Sequence, residues 1–162
     1  MKMAKPRSES KIPLLFMGGF IIIFIFGWIT QILYPNADLD LHFHDTYIVV
    51  AHFHLVAFVA IFFGLFACIY YLYPKLFGRR MSNTLGFIHF IITFFCVIAI
   101  FWPMHYEGFA GQPRRYYDYS AWESFKSFSS LNVYISFIVV CALFAQLLFV
   151  FNFFVSFLKR PF

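Results

Sequence analysis

Four of the six histidines and two acids fall within the sixteen residues from Asp40 to Leu55, Asp-Leu-His-Phe-His-Asp-Thr-Tyr-Ile-Val-Val-Ala-His-Phe-His-Leu. From Tyr47 to Tyr73 the chain is apolar apart from His52 and His54, too long a run for a strand and long enough to cross a bilayer as a helix. Ionisable groups inside a membrane span are costly to place there and mark function. The spacing of the two histidines decides which function. Each helical residue turns its side chain by about 100°, so His52 and His54 point about 200° apart and cannot close on one metal ion. They must serve two separate partners. If each ring held an iron roughly 6 Å from its own Cα, the two irons would lie on the order of 15 Å apart across the helix, a separation suited to electron transfer. A strand would put both rings on one face, as in a His-x-His zinc site, but it would leave backbone groups unsatisfied in lipid unless a barrel closed around it.

The rest of the composition supports the helical reading. A chain that is 62% hydrophobic and 12% charged has little with which to make a soluble surface, and it falls in the membrane class. Its net charge of +5 bears on topology rather than on nucleic acid, for which it carries no motif. Cys68, Cys96 and Cys141 lie inside apolar runs; an odd count without a Cys-x-x-Cys gives neither a disulfide framework nor a thiolate metal site, so they read as small packing residues.

Four spans are expected, at about residues 12–34, 47–73, 85–102 and 131–158, which makes the chain an all-α membrane protein. A basic tail at 1–11 precedes the first span, whose Gly18, Gly19 and Gly27 suit close helix contact. Pro35-Asn36 ends it, and an acidic turn with Asp38, Asp40 and Asp45 leads to a cap at Asp45 or Thr46. The second span is expected to end near Pro74 and the third at Pro103. A loop from Met104 to Ser130 then holds Glu107, Arg114, Arg115, Asp118, Glu123 and Lys126. In the fourth span Asn132, Ser136, Gln146, Asn152 and Ser156 are the points able to bond to neighbouring helices. With four spans, both termini share a side with the Lys75 to Arg80 loop. That side carries nine basic residues against Glu9 alone, whereas the other carries three basic against six acidic, which places the termini inside. His52 and His54 then lie about 9 to 12 Å below the outer end of their helix, in a core about 30 Å thick.

The run His44-Asp-Thr-Tyr-Ile-Val-Val-Ala-His-Phe-His54 resembles subunit 1 of the haem-copper oxygen reductases, the cytochrome c oxidase family. The likeness continues through Lys75 to Asn83, Ile88-His89-Phe90, Pro103-Met104-His105 and Gly111-Gln112-Pro113-Arg114-Arg115-Tyr116. It covers nearly the whole chain after the basic tail and corresponds to the last four of twelve spans. The resemblance implies that His52 is the proximal ligand of the high-spin haem iron facing copper, and that His54 is one axial ligand of the low-spin haem iron. It implies a magnesium site at His44 and Asp45 on a subunit interface, a place for Asp40 near the haem propionates, and propionate binding by Arg114 and Arg115. Two haems, of the a type, and the magnesium are the cofactors so implied.

The family's copper ligands and second axial histidine lie on earlier helices, so the resemblance implies that copper is held by another chain carrying them. The subunit is then expected to be split or processed, inactive alone, and assembled with oxidase subunit 2 and, through the complex, with cytochrome c. Its implied location is the mitochondrial inner membrane with termini on the matrix side, or alternatively a bacterial inner membrane. A quinol oxidase of the same superfamily, a dihaem electron-transfer protein without oxygen chemistry, and a structural subunit without cofactors are the competing readings. His42 has no counterpart in the family pattern, and His89 and His105 read as hydrogen-bonded structural groups.

Overall fold

The computed structural model describes residues 10–32, 37–118 and 121–158. Most of the basic tail, the Pro35-Asn36 turn, and Lys159 and Arg160 lie outside the described residues. The order is α1 (Ile12–Gln31), α2 (Ala37–Phe43), α3 (Tyr47–Phe53), a π-helical turn (His54–Val59), α4 (Ala60–Phe77), α5 (Asn83–Phe109), a 3-10 turn (Glu123–Phe128) and α6 (Ser129–Phe157). The stretch Tyr47–Phe77 is one continuous helix of 31 residues, so four helices are long and apolar enough to cross a membrane. The described residues contain no strand, only a single antiparallel bridge between Thr46 and Pro113.

The inward face of α1 repeats at three and four residues. It comprises Ile12, Phe16, Gly19, Ile23 and Gly27, with Pro13 in the first turn where its missing N–H costs nothing. The ring of Phe16 is fully buried and meets Phe63, Phe66 and Tyr70 at 5.5 Å, Phe90 at 5.2 Å and His89 at 5.0 Å. In lipid such contacts stabilise through dispersion and fit rather than through release of water.

Along the central helix the buried positions run Ile48, Ala51, Leu55, Ala60, Phe63 and Ala67. The five-residue step from Leu55 to Ala60 would turn the face away by about 140° in a regular α-helix. The π turn lies across that step and absorbs the extra residue, which keeps α3 and α4 on one inward face.

Two helix ends differ from the sequence expectation. Pro74 lies inside α4, which continues to Phe77 and stops at Gly78 in the left-handed conformation (φ 59°). Pro103 likewise lies inside α5, which runs six residues further, to Phe109. Proline is tolerated in a span when neighbours hold the following turn. Beyond Pro103 the helix closes on α3 at Gly108: a Cβ there would collide with the backbone nitrogen of Ile48, so only glycine lets α5 lie against the start of α3. The expected outer loop is correspondingly shorter, and Glu107 belongs to the helix.

Of the polar points in α6, Gln146 and Asn152 reach other elements. Gln146 meets His89 and Thr93 at 3.3 Å each. Asn152 accepts from Ser82 N at 3.0 Å and donates to Ser82 O at 3.1 Å. Asn132 and Ser136 donate to carbonyls of their own neighbourhood, Phe128 and Asn132, and Ser156 donates to Asn152. Among the described residues α6 buries only Ala145, Asn152 and Ser156, leaving most of its apolar surface to lipid or to other proteins.

Candidate functional site

His52 leaves α3 toward α1. Its approach depends on Gly27, where a Cβ would come within 2.6 Å of Val56. The His52 Nδ1 lies 2.9 Å from Gly27 O and 2.8 Å from Thr30 Oγ1. Because the Thr30 hydroxyl donates its own proton to Gly27 O at 2.7 Å, the shared proton at His52 must be on Nδ1, and Nε2 carries the lone pair. That is the tautomer suited to ligation through Nε2.

His54 is held differently. Its Nδ1 donates to Val50 O one turn earlier at 2.7 Å, again leaving Nε2 as the basic nitrogen. The ring lies nearly parallel to Phe58 (centroids 5.3 Å apart, 26°) and to Phe101 of α5 (6.1 Å, 22°), with Phe53 edge-on at 5.8 Å. The two imidazoles therefore engage different helices, His52 toward α1 and His54 toward α5, as a two-residue spacing on a helix requires. Next to them, between α1, the π turn and α5, an apolar cavity of about 220 Å³ is walled by Phe26, Leu55, Phe101 and Trp102 among others.

At the end of the bundle that carries α2, the chain is pinned by a short antiparallel contact. Tyr47 N donates to Gln112 O at 3.0 Å, Arg114 N donates to Asp45 O at 2.8 Å, and the Arg114 guanidinium forms an ion pair with the Asp45 carboxylate. Asp45 sits at φ 59°, a conformation aspartate tolerates better than most residues, and this turns its carbonyl toward Arg114. Thr46 caps α3 by backbone position; its hydroxyl donates to Phe43 O at 2.7 Å rather than accepting from the helix. His44 stands 3.9 Å from Asp45 and 3.8 Å from Asp40, both long for hydrogen bonds. His44 and Asp45 are largely exposed, as are His42 and Arg115. Among the described residues no three histidine, cysteine or acidic side chains converge to hold a metal ion.

Arg114 and Asp45, assigned by resemblance to separate propionate and magnesium sites, are thus partners of each other. His89 is fully buried, with Tyr70 Oη 3.3 Å from Nδ1 and Gln146 Oε1 3.3 Å from Nε2. His105 donates from Nδ1 to Phe101 O at 2.7 Å, whereas its Nε2 is buried without a partner.

Sequence reasoning missed Glu107 and Gln112, both fully buried, because it placed them in a solvated loop. A signal was available. Glu107 continues the α5 stripe of Gly86, His89, Thr93, Val97 and Ile100 if Pro103 is read as lying inside the helix.

The chain is thus a helical membrane bundle with two tethered imidazoles on opposite sides of one span, and sequence comparison identifies its family. Residues 1–141 match the profile of the family described as cytochrome c and quinol oxidase polypeptide I, and the chain belongs to that family. It is 42% identical over 142 residues to the alternative cytochrome c oxidase subunit 1 of Bradyrhizobium diazoefficiens, covering 87% of this chain and 24% of the relative. It is 41% identical over 130 residues to the cytochrome c oxidase subunit 1 of Cereibacter sphaeroides, covering 80% and 23%. The corresponding subunit of Corynebacterium diphtheriae is 39% identical over 127 residues, covering 78% and 22%. The chain thus spans about a quarter of the length of these curated relatives. The four apolar helices together with this family make it a multi-pass membrane protein.

Proposed function

We propose that this chain is a part of the catalytic subunit of a cytochrome c oxidase, supplying one axial ligand to each of two haems. The observation that carries this reading is that His52 and His54 are each tethered through Nδ1 to a backbone carbonyl while facing different helices. Donation from Nδ1–H to a carbonyl fixes the ring and makes Nε2 a better donor to iron, the usual support for a ligating histidine. The donor set fits haem: neutral imidazoles are ordinary axial ligands, and apolar, aromatic walls at Phe53, Phe58 and Phe101 suit a macrocycle. Bound haem supplies one-electron redox chemistry and, at the iron facing copper, oxygen binding.

The work of this chain's own residues is to orient and to exclude. Thr30 and Gly27 hold the His52 ring on the α1 side, and Phe58 and Phe101 clamp the His54 ring so that it cannot rotate away. The low-spin iron needs a second axial ligand and copper needs three histidines. They would come from earlier helices of the subunit, whether on a separate chain or upstream in a longer one.

Toward the loop end, Arg115, Arg114 and Asp40 are proposed to face the haem propionates, the arginines through permanently charged, forked donors. Arg114 would do so while held by Asp45. His44 and Asp45 fit as two ligands of an interfacial magnesium ion, whose remaining positions would be filled by water and a carboxylate of subunit 2. The whole complex would pass electrons from cytochrome c to oxygen and couple this to proton translocation. The charge asymmetry supports termini on the matrix side of a mitochondrial inner membrane, or alternatively on the cytoplasmic side of a bacterial one.

The test is to purify the complex in mild detergent through a tag on this chain, then measure its haem and copper content and identify its chains by mass spectrometry. Two haems, copper, and oxygen uptake driven by reduced cytochrome c are expected. Haem without copper would indicate a dihaem electron carrier, activity with quinol alone a quinol oxidase, and no visible absorption would remove the cofactor role.

A further inference from the structure

Five buried side-chain atoms among the described residues have no hydrogen-bond partner: His105 Nε2, both carboxyl oxygens of Glu107, Gln112 Oε1 and Arg114 Nε. All five belong to the last turns of α5 and the loop that follows. Three of them are acceptors on one pair of residues, Glu107 and Gln112, whose side chains are completely shielded from solvent. Their backbones are joined, Gln112 N donating to Glu107 O at 3.1 Å. Buried polar atoms in folded proteins are almost always paired, and an ionised carboxylate without a partner is among the most costly groups to bury.

We propose that Glu107 is a proton-binding site, held as a neutral carboxylic acid that donates its proton to Gln112 Oε1. One proton removes the charge and supplies a donor to a corner that holds three unpartnered acceptor oxygens. The other half of the Gln112 amide is already used. Its Nε2 donates to Tyr116 Oη at 3.2 Å, and Tyr116 Oη lies 2.6 Å from Tyr47 Oη in the first turn of the His52 helix. The amide therefore presents Oε1, not its NH2 group, to whatever completes the corner.

Apart from the unpartnered His105 Nε2 and Arg114 Nε, the charged and titratable groups of the neighbouring segments are engaged or exposed. The Arg114 guanidinium is paired with Asp45, Lys126 with Glu123, the Tyr47 and Tyr116 hydroxyls with each other, and Arg115 is exposed. His105, two residues away on the same helix, points about 200° from Glu107 and meets Phe26 of α1. Among the described residues Glu107 forms no ion pair, so nothing here holds it ionised. The proposal does not depend on haem ligation and can fail or stand separately from it.

The experiment is infrared spectroscopy of the intact complex at neutral pH, comparing wild type with Glu107→Gln in H2O and D2O. The difference spectrum is expected to show loss of a deuterium-sensitive carboxylic-acid carbonyl band. Gln112→Leu, which removes the acceptor, should move that band to higher frequency. Loss of carboxylate bands in Glu107→Gln, or a band unmoved by Gln112→Leu, overturns the proposal. Should Glu107→Gln fail to assemble, carbon-13 labelling of glutamate in wild type and Gln112→Leu complexes identifies the same band. A labelled wild type with no protonated glutamate band, or one that Gln112→Leu leaves in place, is again a negative result.

Discussion

The two ends of the helical bundle satisfy their buried polar groups in different ways. At the end near Ser82 and in the adjoining interior, His89 has partners at both ring nitrogens, and Asn152 clasps Ser82 in both directions. At the other end, every buried atom lacking a partner among the described residues lies between His105 and Arg114. One region is complete within this chain. The other leaves five buried side-chain atoms without a partner among the described residues. His52, His54 and the residues assigned to propionates and magnesium all lie toward this second end.

The largest effect expected from this contrast is on local stability when cofactors are removed. In the assembled complex, extracting the haems should sharply raise amide hydrogen exchange over residues 44–54 and 105–116, while residues 82–93 and 146–156 stay protected. Uniform loss of protection would show that the two ends are not independent.

Next in size is Gly108→Val. Its side chain would have to occupy the position of the Ile48 backbone, and overfilling of this kind costs about 1–3 kcal/mol or more. Thermal unfolding of the complex should fall accordingly, and an unchanged midpoint would mean that α5 does not lie against α3 this closely.

Asn152→Leu should cost a similar or smaller amount, about 1–3 kcal/mol, because it leaves the Ser82 N–H and carbonyl without their partner. Since that end is self-contained, the loss should be the same with and without bound haem. A haem-dependent loss would blur the distinction between the two ends.

The smallest effect is at Asp45 and Arg114. The carboxylate is 55% exposed, so the ion pair should contribute only about 1 kcal/mol in a double-mutant cycle of Asp45→Asn and Arg114→Leu. A coupling several times larger would mean that the pair is buried in the complex, under subunit 2 or a haem edge.

The end with the unpartnered atoms was also the harder to read from sequence. Four spans and the opposite orientation of His52 and His54 follow from run length and a helical period, which need no knowledge of neighbours. The reach of α5 past Pro103 depends instead on Gly108 meeting the Ile48 backbone, a contact between residues sixty positions apart. Glu107 looked like a loop acid for the same reason. The π turn was written in the five-residue step between Leu55 and Ala60, but in a run so uniformly apolar nothing in the sequence says which of several apolar positions faces inward. The pairing of Arg114 with Asp45 requires the bridge between Thr46 and Pro113, which no local signal announces.

The central claim is that His52 and His54 serve different centres, and optical spectra of the single variants in the purified complex test it most directly. His54→Ala should lose the low-spin haem signal while the high-spin haem still binds external ligands, and His52→Ala should chiefly perturb that ligand-binding haem. Identical spectra for the two variants, or full retention of both haem signals in either one, would contradict the account.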